Sequence, residues 1–209
     1  QGEYKEKLPT VKFESGCTYT GEWVYGEREG QGIQTFPNGS TFEGEWRGNK
    51  ITGKGRIEFE DGDSFEGEWL DDKANGFGVY LHHSGAMHEG YWVDNLQSGQ
   101  GVETWPDGGK YEGEYNKGKK EGKGIYLWPD GSYYTGQWHE NHIHGYGEYF
   151  WSDGASTRAS GDTTKCMDLE CIPGTMAGPT RASICTTRST VSEDTSGLTG
   201  AFLGQLGER

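Results

Sequence analysis

The chain has 209 residues, a formal net charge of −14, only 31% hydrophobic residues, and 37 glycines beside 8 Trp, 12 Tyr and 8 Phe. The acidity argues against nucleic acid and against general attraction to anionic lipid, both of which carry negative charge. Glycine is costly in helix interiors while aromatics suit strands, so the composition excludes a helical bundle and predicts β-structure.

The N-terminal stretch QGEYKEKLPT is polar, lacks the apolar core of a signal peptide and does not begin with Met. It reads as the start of a fragment or of a processed chain. No run of 18 apolar residues occurs, so no membrane-spanning helix is expected. Cys17, Cys166, Cys171 and Cys185 are too sparse for a disulfide framework, which points to a reducing, intracellular and cytoplasmic setting. Residues 1–18 are expected to form a lead-in with a partial capping repeat, because Phe13 and Gly16 anticipate the pattern that follows.

That pattern is a 23-residue period. Tyr19, Phe42, Phe65, His88, Tyr111 and Tyr134 open six blocks that fill 19–156. Counting each as position 1, positions 3, 12, 14 and 21 are Gly in every block, which accounts for 24 of the 37 glycines. Position 5 is Trp23, Trp46, Trp69, Trp92, Tyr115 and Trp138, and position 18 is Phe36, Phe59, His82, Trp105, Trp128 and Trp151. The aromatic–Gly–aromatic alternation at 1, 3 and 5 has the period of a strand. Positions 14–18 predict a second strand, with a polar loop such as NKGKKE between the two. PNG and PDG then turn the chain into the next block, since Asn-Gly and Asp-Gly accept positive φ. Pairing position 5 with 14 would place each Trp over a bare Gly and bring the rings at 1 and 18 together. A lone hairpin is marginal, whereas stacked hairpins support one another. The expected fold is all-β: an elongated array of consecutive antiparallel hairpins, on the order of 60 Å long at two strands per block. Its extended surface and free edges suit partner binding or self-association.

Aromatics and glycines in this register, clearest in YEGEY…GKKEGKGIYLWPDGS, resemble the MORN (membrane occupation and recognition nexus) repeat family over about two thirds of the chain. The resemblance implies a non-catalytic adaptor that binds a helical segment of a partner protein. By analogy the docking groove is the aromatic and Gly face, with Trp23, Trp46, Trp69, Trp92, Tyr115 and Trp138 as candidate contacts. It also implies a cytoskeletal, ciliary or cortical membrane-associated location, and a homodimer is a candidate arrangement. Similar arrays accompany phosphatidylinositol phosphate kinases and some methyltransferases. The alternative is therefore a targeting segment of an enzyme whose catalytic domain lies outside this chain. Phospholipid binding by the repeats is a further alternative.

The residues add their own candidates. Positions 2 and 4 carry an acidic face, chiefly Glu43, Glu45, Glu66, Glu68, Glu112 and Glu114. It reads either as a solvated face or as a dock for a basic segment, whose binding salt would weaken. Lys117, Lys119, Lys120 and Lys123 form a small basic patch for a phospholipid head group, or an ordinary charged loop. His139, His142 and His144 lack a matching pair of ligands, and His82, His83 and His88 read as substitutions within the aromatic layer. No metal, cofactor or catalytic constellation is expected. GNKITGKG, 48–55, nearly matches a phosphate-binding loop, but Gly53 and Gly55 are repeat positions 12 and 14. Asn38-Gly39-Ser40 reads as a turn in preference to a glycosylation site. From 157 to 209, Ser and Thr dominate and the repeat stops, which predicts a disordered tail with Arg-x-Ser motifs at 158–160 and 181–183.

Overall fold

The computed structural model describes residues 5–161 and 168–171. All regular structure among them is β. The chain divides into two compact units, the first ending at Asn95 and the second beginning at Leu96. In the first, the strands are β1 (Glu6–Lys7), β2 (Val11–Lys12), β3 (Thr18–Val24), β4 (Glu27–Thr35), β5 (Thr41–Arg47), β6 (Lys50–Glu58), β7 (Ser64–Leu70), β8 (Lys73–Leu81) and β9 (Met87–Val93). Each strand from β3 to β9 pairs antiparallel with the next, and β1 and β2 share the outer edge of β3. In the second unit, β10 (Leu96–Thr104), β11 (Lys110–Asn116), β12 (Lys119–Leu127), β13 (Tyr133–His139), β14 (His142–Phe150), β15 (Ser156–Gly161) and β16 (Asp168–Cys171) also pair in sequence order.

Three backbone devices recur in each block. Positions 7 and 8 form a two-residue turn in which both residues take positive φ, as at Asp71 (49°) and Asp72 (67°). This is the turn whose twist matches that of the flanking strands. The position 8 side chain then ties neighbouring blocks together: Asn49, Asp72, Asn95 and Asn141 each accept from the position 10 amide of the preceding block, at 2.7–2.9 Å. The second device is a bulge at positions 12 and 13. The third is the turn at positions 18–22, in which the amide of Gly39 donates to Phe36 and Asn38 Oδ1 accepts from Ser40. That geometry makes Asn38-Gly39-Ser40 a turn, and Phe13 to Cys17 repeats the same backbone bonds ahead of β3.

The bulge corrects the expected register. Within a block, position 3 pairs with 14 and position 1 with 16, as in Gly44↔Gly55 and Phe42↔Ile57, while 5 pairs with 10, as in Trp46↔Ile51. The run read as a polar loop is mostly strand; only two residues turn. Position 5 faces position 12 of the preceding block, as in Gly30↔Trp46. The ring covering the glycines is that of position 1: a Cβ on Gly55 would lie 2.3 Å from Phe42 Cζ, so no larger residue fits. The position 5 indoles instead reach the position 14 carbonyl of the preceding block, with Trp46, Trp69, Trp92 and Trp138 donating at 3.0–3.3 Å. Rings at 1 and 5 alternate edge-to-face, for example Tyr19–Trp46 at 5.3 Å, Phe42–Trp46 at 5.5 Å and Phe42–Trp69 at 5.3 Å. Each such pair adds about 0.5–1.5 kcal/mol beyond burial. Position 18 packs on position 16 of the next block, as in Phe59–Tyr80 and Trp128–Tyr149.

At the C-terminal end, 157–161 and 168–171 are the described part of the expected tail. Residues 156–161 add a strand to β14, in register from Phe150↔Ser156 to Gly145↔Gly161, and β16 pairs with β15. The Arg-x-Ser motif at 181–183 and the rest of the expected tail lie outside the described residues.

Candidate functional site

Alternation along the strands separates two faces. Positions 1, 5, 10 and 16 point into the aromatic layer, and positions 2, 4, 6, 13, 15 and 17 point the other way. Trp23, Trp46, Trp69, Trp92, Tyr115 and Trp138 are all buried, none exposing more than 8%. The six side chains proposed as docking contacts are therefore the interior of the array. The indole N–H groups of Trp46, Trp69, Trp92 and Trp138 are engaged with the preceding blocks, which leaves the opposite face as the accessible one.

On that opposite face the two rows of carboxylates have different jobs. Position 4 supports the bulge: Glu22, Glu45 and Glu68 accept from the position 13 amides of Gln31, Lys54 and Phe77 at 3.2–3.3 Å. Gln137 does the same for Tyr146 at 2.9 Å, so a neutral carbonyl oxygen serves this contact as well as a charged one. Gly76 at position 12 has φ +113°, and a Cβ there would lie 2.0 Å from Glu68 Oε2. Glu22 is further held below the usual carboxylate range by the Lys5 ammonium, 3.0 Å away. Position 2 residues Glu43, Glu66, Glu89 and Glu112 are exposed. Of the expected acidic face, Glu45, Glu68 and Glu114 thus belong to the fold, Glu114 packing against Gly122 as Glu68 does against Gly76.

The lysine patch is also corrected. Lys120 occupies position 10 and is 1% exposed, its Nζ donating to Glu103 Oε2 at 2.7 Å. Lys119 pairs with Glu140 at 3.0 Å. Lys117 sits in the two-residue turn at φ 50°, and Lys123 is exposed at position 13. The four do not form one free cationic surface. Among the loop histidines, His139 hydrogen-bonds Glu121 at 2.9 Å, which raises the His139 pKa and lowers that of Glu121, while His142 faces the Glu140 carbonyl. His88 lies fully inside the aromatic layer, edge-to-face on Trp92 at 5.3 Å.

A surface that sequence reading passed over lies in the first unit. On β7, β8 and β9 the outward positions turn apolar: Leu70, Phe77, Val79, Leu81, Tyr91 and Val93. Leu70, Tyr91 and Val93 are about half exposed, at 55%, 53% and 49%. Phe77 and Tyr91, directly opposite across β8 and β9, meet edge-to-face at 5.6 Å. This side borders an open groove of about 860 Å³ over β5–β9, walled by Phe77, Val79, Leu81 and Met87 on one side and by Lys54, Arg56, Glu43 and Glu66 on the other. Arg56 lies between Glu58 at 2.9 Å and Glu66 at 3.7 Å. The signal was present in the sequence: one block earlier, the positions of Leu70, Phe77, Val79, Leu81 and Tyr91 hold Arg47, Lys54, Arg56, Glu58 and Glu68.

The MORN repeat family model matches six consecutive segments, 19–41, 42–64, 65–87, 88–110, 111–133 and 134–156. The chain belongs to the MORN repeat family. The MORN repeat is a non-catalytic module, and these boundaries coincide with the blocks defined by the period. No curated protein matches the chain. Among solved structures, it is similar to the SAS-4 (dCPAP) TCP domain of Drosophila melanogaster in complex with a proline-rich motif of Ana2 (dSTIL), with 14% identity and a TM-score of 0.43 over 82% of this chain and 86% of that one. It is also similar to the CPAP G-box domain (14%, TM-score 0.38, 78% and 98%). A third is the TCP10 domain of Danio rerio CPAP with a STIL peptide (15%, TM-score 0.33, 75% and 83%).

Proposed function

We propose that this MORN repeat protein is a non-catalytic scaffold that docks a segment of a partner protein on the face opposite its aromatic layer. The observation that carries this reading is the exposed apolar patch of β7–β9, bordered by a charged groove. Scattered exposed apolar residues are ordinary, but a contiguous set rimmed by charge marks an interaction surface. The partner segment has apolar anchors for Phe77, Leu81 and Tyr91, and basic flanks for Glu43, Glu66 and Glu89. A helical segment meets that requirement. The family resemblance supports a cytoskeletal, ciliary or membrane-associated setting, which live imaging of the tagged chain tests.

The docking reading is tested with a photo-crosslinking residue at position 91 of the full chain in cells. One partner should be captured reproducibly, and Phe77→Asp should abolish capture without lowering the unfolding midpoint. Capture that persists in Phe77→Asp refutes the site. Crosslinking to a second copy of this chain, with a dimer in sedimentation, would assign the patch to self-association. The phospholipid alternative loses support from the burial of Lys120 and the pairing of Lys119.

A further inference from the structure

We propose that Asp63, His82 and His83 form a binding site for a borderline divalent metal ion, with zinc as the ion of choice. Asp63 is position 22 of the second block; His82 and His83 are positions 18 and 19 of the third. The inter-block turns bring one donor atom from each within 4.8 Å of the others. Asp63 Oδ1 is 3.0 Å from His83 Nδ1 and 3.8 Å from His82 Nε2. Ligands at about 2.0–2.1 Å in a tetrahedral arrangement stand about 3.3 Å apart, so the observed separations bracket the requirement. Two imidazoles and a carboxylate suit zinc and its first-row neighbours, and the three leave one coordination position open.

The surroundings orient these groups. Tyr80 Oη donates to Asp63 Oδ2, and the His83 amide donates to Oδ1 at 2.9 Å, which fixes the carboxylate. Asp63 is almost fully buried, whereas the His82 and His83 side chains are 28% and 55% exposed, so an ion has a route in from solvent. His82 Nδ1 lies 2.6 Å from Ser84 Oγ, a partner of the kind that ligating histidines use on their second nitrogen. The Ser84 amide also points at Nδ1 from 3.2 Å, so the metal-free ring can carry its proton on Nε2; ligation through Nε2 then requires that proton to move to Nδ1, where Ser84 Oγ can accept it.

The repeat supplies an internal control. In the other blocks position 18 is Phe or Trp, and position 22 is Ser, Ala or Gly. Position 19 is Pro, Glu or Ser. The fold therefore needs none of the three donor types. At the equivalent of the Tyr80–Asp63 contact, Tyr149 donates to Ser132 at 2.8 Å, so a hydroxyl there is enough for the tyrosine. Three separate departures from the repeat converge on one point.

The test is zinc titration calorimetry on the full chain, with cobalt(II) absorption as a second readout. The wild-type chain should take up one equivalent that the double variant Asp63→Ser, His82→Phe does not, its affinity falling at least about tenfold. Both replacements occur at these positions in other blocks, so the metal-free double variant should unfold at the wild-type urea midpoint or above it. If it does not fold, His83→Gln in the half-exposed turn should still show the affinity loss. Zinc should raise the thermal midpoint of the wild type and not of the variants. Undiminished uptake by the variants, no uptake by the wild type, or uptake removed by His142→Ala in place of these changes overturns the proposal.

Discussion

Replacing Lys120 by Met should be among the most damaging single changes in the second unit. The ammonium is 2.7 Å from Glu103 Oε2, with both side chains 1% exposed, and Tyr115 Oη donates to the same oxygen at 3.0 Å. The ammonium also stands 5.0–5.8 Å from the ring centres of Trp105, Tyr111 and Tyr115. At an effective dielectric of about 20 the attraction is about 6 kcal/mol, but several kcal/mol of desolvation per ion offset it. The intact pair is therefore nearly neutral relative to an apolar plug, while Lys120→Met strands a buried carboxylate and costs about 3–5 kcal/mol. The equivalent positions of the second and third blocks are Ile57, Trp69 and Ala74, all buried. The triple variant Glu103→Ile, Tyr115→Trp, Lys120→Ala should therefore recover most of the loss. Urea unfolding followed by tryptophan fluorescence, with hydrogen exchange resolving the two units, measures both. A loss below about 1 kcal/mol in Lys120→Met, or no recovery in the triple variant, would show that the pair is not an interior plug.

Three further outcomes follow from the same geometry. Glu68→Gln should leave stability nearly unchanged, because Gln137 holds the same bulge, whereas Glu68→Ala should cost about 1 kcal/mol and speed exchange of the Phe77 amide. Trp46→Phe should cost about 1 kcal/mol more than Trp23→Phe, since Trp46 Nε1 bonds Gly32 while buried Trp23 Nε1 has no partner among the described residues. Burial pushes the Tyr19, Tyr126 and Tyr134 phenols up to about 12 from an ordinary 10. The folded state thus holds protons that the unfolded state releases, so this stability is intact below pH 10 and is lost as pH climbs toward 12. Denaturant midpoints should fall across that window, with phenolate absorbance appearing at the unfolding step.

Hairpins, block boundaries and the aromatic interior were legible because a 23-residue period averages over six copies, leaving only what the fold requires. Register was not legible. A Gly in NKGKKEGKG looks like a loop residue, and nothing in one dimension marks positions 12 and 13 as a bulge closed by a side chain eight or nine residues earlier. The error then propagated: a two-residue shift moved the Trp from its true neighbours and made the aromatic layer look like an open groove. Lys120 was misread for a different reason. Beside Lys119 and Glu121 it looks solvated, yet position 10 is Ile51, Ala74 and Ile143 in three of the other five blocks, a majority that points inward, while Arg28 and Gln97 in the remaining two blur the signal. The patch on β7–β9 is legible in the same columns, where Phe77, Val79 and Leu81 stand at positions that hold Lys54, Arg56 and Glu58 one block earlier.

Near-identical blocks raise a problem of their own, since a strand can pair one block out of place with almost the same aromatic contacts. The polar interior answers it. Arg28 donates to Gln34 and to the Asn49 carbonyl, and lies 4.4 Å over Trp46; Lys120 is matched to Glu103. Each arrangement draws on residues of particular blocks. Sliding the fifth block back by one would set Lys120 against Tyr80, the position 16 residue of the third, and leave Glu103 uncompensated. The cost of a stranded buried charge, about 3–5 kcal/mol, exceeds what any single ring contact of about 0.5–1.5 kcal/mol would return. The glycines and rings therefore make hairpins that stack, and the buried polar residues select which hairpin stacks on which.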